Sequence, residues 1–202
     1  MLSLAVGAVL AGALGAALFA GAGSGGSGTQ GNVSGAGGLG GSGGSVSAVH
    51  PREAPQFSLP RLGGGPAVAL PALGSARRHA VVLAFFASWC IPCHEDLPRV
   101  AKVADQTRAE GLPVSFVGVD VNDSPGAGLA FARRSGVAFP VGSDPKDRVA
   151  AGLFDLPGLP ATVFIGPRGR IRGWVYGPAS VALLRQWVAR IAPAGGLTPS
   201  GT

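Results

Sequence analysis

Hydrophobic and polar positions divide the chain into three unlike stretches. Residues 1–22, MLSLAVGAVLAGALGAALFAGA, are an uncharged apolar run of a length that crosses a bilayer or serves as an export signal. No Lys or Arg precedes the run, and its heavy use of Ala and Gly makes it only weakly hydrophobic. Ala20, Gly21 and Ala22 have the small side chains of a cleavage site. Residues 23–50 are Gly/Ser-rich, with too little apolar surface to offset the entropy of ordering them, which predicts a flexible tether. From about residue 51 to 193 strand and helix patterns alternate, and 194–202 reads as a flexible tail.

Within 51–193, short apolar runs predict strands over 80–87 (AVVLAFFA) and 114–121 (VSFVGVDV). Between them Leu97, Val100, Val103 and Ala104 recur at helical spacing, predicting a helix over 93–110. Two further helices are expected over 126–135 and 145–153. Strands over 161–165 and 171–176 flank the turn Gly166, Pro167, Arg168, Gly169. Val181, Leu184, Trp187, Val188 and Ile191 give 180–191 one apolar side and close the domain as an amphipathic helix. Helices alternating with strands predict an α/β fold, a central mixed sheet flanked by helices on both faces, with an antiparallel hairpin last.

Charge sharpens the boundary. All 16 basic and 10 acidic side chains lie at or beyond Arg52, so the first quarter does not belong to the same water-facing globule. The net charge of +6 is scattered in small groups, Arg77 with Arg78, Arg133 with Arg134, and Arg168 with Arg170 and Arg172. No basic stripe is interleaved with aromatics, which argues against nucleic acid and leaves solubility or attraction to anionic lipid. Two cysteines rule out a disulfide-dense scaffold and any four-cysteine metal or cluster site.

Those two cysteines carry the chemistry, in Trp89, Cys90, Ile91, Pro92, Cys93, His94. Where a strand gives way to a helix, Cys90 falls at the helix N-terminus, where unpaired N–H groups favour a thiolate. Cys93, one turn further in, is placed to attack a mixed disulfide on Cys90. A purely structural bridge across so short a loop would remove little unfolded-chain entropy and stabilise weakly.

The segment VVLAFFASWCIPC, Pro98 five residues after the second cysteine, and GLPATVFIGPRGRI resemble the thioredoxin superfamily. Within it the closest resemblance is to the membrane-tethered or exported TlpA/ResA/CcmG(DsbE)-like thiol-disulfide oxidoreductases. Ala54, Pro55, Gln56 and Phe57 resemble their APxF opening strand, and the likeness runs to about Ile191. The resemblance implies a thioredoxin-like fold, with Cys90 as nucleophile and Cys93 as resolving thiol. It implies a cis-proline at Pro160 facing the pair, where the exposed backbone of Leu159 and the side chain of Trp89 receive a substrate. Thioredoxins carry a buried carboxylate six residues before the first cysteine; Ala84 stands there. The TlpA-like pattern has an acid three residues after the second cysteine instead, and Asp96 stands there beside Glu95. Its spacing from Cys93 puts it on the same helical face, placed to take that thiol's proton, the alternative being a solvated helix acid.

The expected partners are protein thiol or disulfide substrates and a membrane or exported electron donor, with the N-terminal segment at the membrane and the protein a monomer. No metal or bound cofactor is expected, because the cysteine pair carries the electrons. Reduction of apocytochrome c thiols in cytochrome c maturation and oxidation of exported protein thiols share this motif. Three readings of other kinds compete. CIPCH fits a haem-attachment signature with His94 as axial ligand, but the only Met is Met1, His50 lies at the tether and His79 precedes a strand. A peroxide-reducing relative would set its reactive cysteine in a Thr/Cys pocket elsewhere. A non-catalytic binding module would use a patch of Phe86, Trp89 and Phe154.

Overall fold

The computed structural model describes residues 45–47, 52–70 and 79–193. The apolar run 1–22, most of the tether and the tail from 194 lie outside the described residues. Among the described residues no helix is long and apolar enough to cross a membrane.

The sheet is organised around β4 (Ala80–Phe86), all seven of whose residues are buried, as a central strand covered on both faces must be. It pairs in parallel with β5 (Val114–Val121) through a crossover made by α1 (Cys93–Ala109). On its other side it pairs antiparallel with β7 (Ala161–Ile165), which turns back into β8 (Ile171–Tyr176). The order is β1-β8-β7-β4-β5-β6, a mixed sheet. Both outer strands are additions to the sequence reading. β6 (Val141–Asp144) has only one large apolar residue, so its run is too weak to show as a strand. β1 (Ser45–Ser47) falls within the expected tether but pairs antiparallel with Tyr176, Val175 and Trp174 of β8.

One face of the sheet is covered by α1 and α3 (Val181–Ile191), with α2 (Pro125–Arg134) beside them. Serine side chains start the last two helices: Ser124 accepts the N–H of Ala127 and Ser180 that of Leu183. Trp187 of α3 stacks on Phe164 of β7 at 5.1 Å between ring centroids. Gly173 of β8 lies beneath that indole, and a Cβ there would fall inside the ring.

The opposite face is covered by the segment from Ala54 to Leu70, with the small hairpin β2 (Ser58–Leu59) and β3 (Val68–Ala69), and by residues around Val149 to Phe154. Here the expected helix over 145–153 is replaced by a series of turns. The Asp144 carboxylate accepts the N–H groups of Arg148, Val149 and Ala150 at 2.8–3.0 Å, and Asp147 takes a left-handed φ of 53°. A side chain thus captures the donors that helical carbonyls would have used.

One buried group in this packing is unlike the rest. Asp120 of β5 is fully buried, opposite Phe86 of β4 and Ser143 of β6 in register. Neither carboxylate oxygen finds a hydrogen-bond partner, nor does the Ser143 Oγ. Gly128 of α2 rests on the carboxylate so closely that a Cβ there would collide with it. Burial, and then the neighbouring charge of Asp123, push the Asp120 pKa from 3.8 up to about 7. The folded chain therefore holds this proton in a window, about pH 4 to 7, where the unfolded chain has released it, so stability falls as pH rises through that window. Thermal unfolding should show Tm dropping by roughly 5 °C or more between pH 5 and pH 8. Asp120→Asn should flatten the drop; an unchanged slope in the variant would remove Asp120 as its source.

Candidate active site

The site forms where β4 leaves the sheet. After Phe86 the chain makes a tight turn in which the Cys90 N–H donates to the Ala87 carbonyl at 3.3 Å. Cys90 and Cys93 are joined in a disulfide, and Cys93 is the first residue of α1. Exposure falls inward across the motif: Ile91 is 83% exposed, Trp89 58%, Cys90 4% and Cys93 0%. The outer sulfur thus belongs to the residue at the rim of two exposed apolar side chains, and the inner one to a sealed residue.

The helix N-terminus differs from the expected one in detail. Pro92 stands at the cap without a side-chain acceptor, and the N–H groups of Cys93, His94, Glu95 and Asp96 already donate to the carbonyls of Cys90, Ile91 and Pro92. What remains to favour a thiolate at Cys90 is the aligned dipole of a 17-residue helix, not free amide donors.

One loop, directly after β5, locks the turn in place. The Ser88 N–H donates to Asp123 Oδ2 at 2.7 Å, and the Trp89 indole N–H donates to the Asn122 carbonyl at 3.0 Å. Asp123 also accepts the N–H of Ser124, and Asn122 takes a left-handed φ of 49°. His94 places Nε2 2.9 Å from the Ser88 carbonyl and stacks on Phe131 at 4.7 Å. The sequence reading missed Asn122 and Asp123; the available signal was Asn-Asp-Ser-Pro directly after a buried strand, a turn composition with side chains that bind backbone N–H groups.

Asp96 is buried, not a solvated helix acid. Its Oδ1 accepts the N–H of Ala179 at 2.8 Å, from the segment between β8 and α3. Burial raises its pKa from 3.8 to about 6, against the opposing pull of that N–H and of Arg99. Glu95 beside it faces water and pairs with Arg99 at 3.2 Å. Ala84 packs in the core beneath α1 and α3, without a carboxylate.

The Leu159–Pro160 bond is cis. Pro160 directly precedes Ala161, which pairs with Phe85 near the end of β4, and partly buried Leu159 packs against the cluster that contains Cys90 and Cys93. The structure thus brings Trp89, Cys90, Cys93, Leu159 and Pro160 to one end of the sheet. It does not bring the expected apolar patch there: Phe86 and Phe154 are core residues, Phe154 packing on Phe57, Phe85 and Trp174 on the opposite face, so only Trp89 of that trio is at the surface.

Residues 51–173 match the AhpC/TSA family. The thiol-disulfide oxidoreductase ResA of Bacillus subtilis is 31% identical over 121 residues, covering 60% of this chain and 66% of that protein, just under two thirds of its length. A thiol:disulfide interchange protein DsbE homolog of Paracoccus denitrificans is 36% identical over 88 residues, 43% of this chain and 45% of that one. A solved structure of a thioredoxin family thiol:disulfide interchange protein from Chlorobium tepidum superposes with a TM-score of 0.60 at 26% identity, covering 72% of this chain and 99% of that one. A secreted Mycobacterium tuberculosis disulfide oxidoreductase, described as homologous to E. coli DsbE, gives 0.55 at 28%, over 67% of this chain and 96% of that one. A cysteine pair at the mouth of a helix, on a mixed sheet shared with these relatives, places the chain in the AhpC/TSA family, among thiol-disulfide oxidoreductases of the ResA and DsbE type and of thioredoxin-like fold.

Proposed function

We propose that the chain is an extracytoplasmic reductant of disulfides in exported proteins, the haem-binding cysteine pair of apocytochrome c among them, working as a monomer held near the membrane by residues 1–22. The reading is supported most by the disulfide-linked pair at the head of α1, both cysteines buried, with Cys90 set between the exposed side chains of Trp89 and Ile91. The description of the Mycobacterium tuberculosis relative as secreted and the uncharged apolar run at the start of the sequence support the location.

The reaction begins from the dithiol form. The Cys90 thiolate attacks one sulfur of a substrate disulfide; an S–S bond forms to Cys90 and the substrate's other sulfur leaves as thiolate. Trp89, Leu159 and Pro160 hold the substrate backbone against the pair. Cys93 then gives its proton to the Asp96 carboxylate and attacks the Cys90 sulfur. The Cys90–Cys93 bond closes, the second substrate sulfur is released, and two electrons have passed to the substrate. No bound cofactor is needed, and a membrane or exported donor returns the electrons. An acid whose pKa lies near 6 is ionised at neutral pH and still able to hold a proton, which suits this transfer.

Cys93→Ala should trap a mixed disulfide between Cys90 and a substrate peptide, visible as a covalent adduct by mass spectrometry, whereas Cys90→Ser should form none; adducts on the Cys90→Ser protein would overturn the assignment. Asp96→Asn keeps an acceptor for the Ala179 N–H, so it should fold normally. The wild-type rate should rise with pH through about 6, as the carboxylate ionises, and the variant should lose that limb together with about 100-fold in rate. A full wild-type limb in the variant would exclude Asp96 as the proton acceptor. Equilibration with glutathione buffers sets the direction of flow: a potential near the thioredoxin value of roughly −270 mV supports a reductant, and one near roughly −120 mV an oxidant.

A further inference from the structure

Four arginines line one cleft at the end of the sheet remote from the disulfide. β4 runs toward the cysteine pair and β7 runs back from Pro160, so the turn that follows β7 lies at the opposite end. The cleft, about 280 Å³, is bounded by Pro167 and Arg168 of that turn, by Arg170 and Arg172 at the start of β8, and by Arg190 and Pro193 at the end of α3. No Asp or Glu lines it.

Arg170 is engaged, and its backbone bridges that of Glu53. Arg99, Arg108 and Arg185 pair with Glu95, Asp105 and Glu110, whereas Arg168, Arg172 and Arg190 have no carboxylate partner among the described residues. Arg190 is held in place, its guanidinium 5.0 Å from the centre of the Trp187 ring. Like charges gathered around one opening repel each other, and an anion seated among them removes that cost. Guanidinium groups match phosphate oxygens with paired N–H donors. The rim mixes these cations with half-buried Pro167, Ala192 and Pro193, a combination of charge and apolar surface suited to a lipid interface rather than to a fully enclosed small anion.

We propose that this cleft docks on the phosphate headgroups of anionic phospholipids, resting the domain on a membrane by its arginine end with the disulfide turned away from the surface. The assignment does not depend on the direction of electron flow or on the identity of the redox substrate.

The test uses the full chain with vesicles of phosphatidylcholine alone and of phosphatidylcholine mixed with phosphatidylglycerol, so that any contribution of residues 1–22 appears equally in both. Co-sedimentation should favour the anionic vesicles, and the preference should shrink as salt rises. Arg168→Ala combined with Arg172→Ala should cut the anionic partition by roughly 30-fold while Tm and disulfide reduction stay at the wild-type level. Equal partition on both vesicle types, or unchanged partition of the double variant, would overturn the proposal. So would stabilisation by inorganic phosphate without a preference for anionic vesicles, which would mark a site for the free anion. A lowered Tm with unchanged partition would overturn it as well, leaving Arg168 and Arg172 a purely structural part in the last hairpin.

Discussion

A fully buried strand has to come out of the sheet somewhere, and where β4 does so determines this molecule's chemistry. Its seven residues are sealed between β5, β7 and the layers above and below, and Ala87 is sealed after them, so Ser88 and Trp89 are where the chain returns to the surface. Two hydrogen bonds from the loop after β5, to the Ser88 N–H and from the Trp89 indole, fix that exit. The rigid sheet on one side and α1 on the other then hold Cys90 at the rim and Cys93 beneath it. A redox pair built this way is positioned by packing over the whole domain, with little left to the conformational freedom of a loop.

Two carboxylic acids share the interior on the helix-covered side of the sheet, and their surroundings give them different parts. Asp96 keeps one strong partner, the Ala179 N–H, which tempers the effect of burial and leaves its pKa near 6. Asp120 is buried without any N–H donor of that kind and stands beside Asp123, so its pKa is driven higher, to about 7. The first acid lies in the first turn of α1, three residues past Cys93; the second lies against Gly128, where the α2 backbone approaches too closely for any other residue. The same desolvation thus raises both acids, and each costs the fold stability as pH rises toward its folded pKa, Asp96 up to about 6 and Asp120 up to about 7.

How much of this was legible in the sequence depended on whether a residue's role was local. The runs at 80–86 and 114–121 were readable because both strands are buried on two faces and carry continuous apolar sequence. The last hairpin was readable from its glycine turn, and α3 from its apolar stripe, whereas the part of Ser180 as its cap came from the structure. β6 was not, because Val-Gly-Ser-Asp owes its place to β5 and not to its own composition. The region 145–153 has helical composition, but the Asp144 side chain takes its amides first. Trp89 and Asp96 could be placed on a surface and a helical face; that Asn122 would hold the one, and Ala179, 83 residues further on, the other, required the tertiary structure. Phe86 and Phe154 fail as surface residues for the same reason, since a large aromatic side chain reads alike in core and interface.

The account rests on Cys90 being the ionised, reachable thiol and Cys93 the sealed one. After full reduction, the pH dependence of iodoacetamide labelling, followed residue by residue by mass spectrometry, tests this directly. Cys90 should label first, with an apparent pKa clearly below the roughly 8.5 of a free thiol, and Cys93 only on unfolding. Labelling of Cys93 ahead of Cys90, or of neither in the folded protein, would contradict the account.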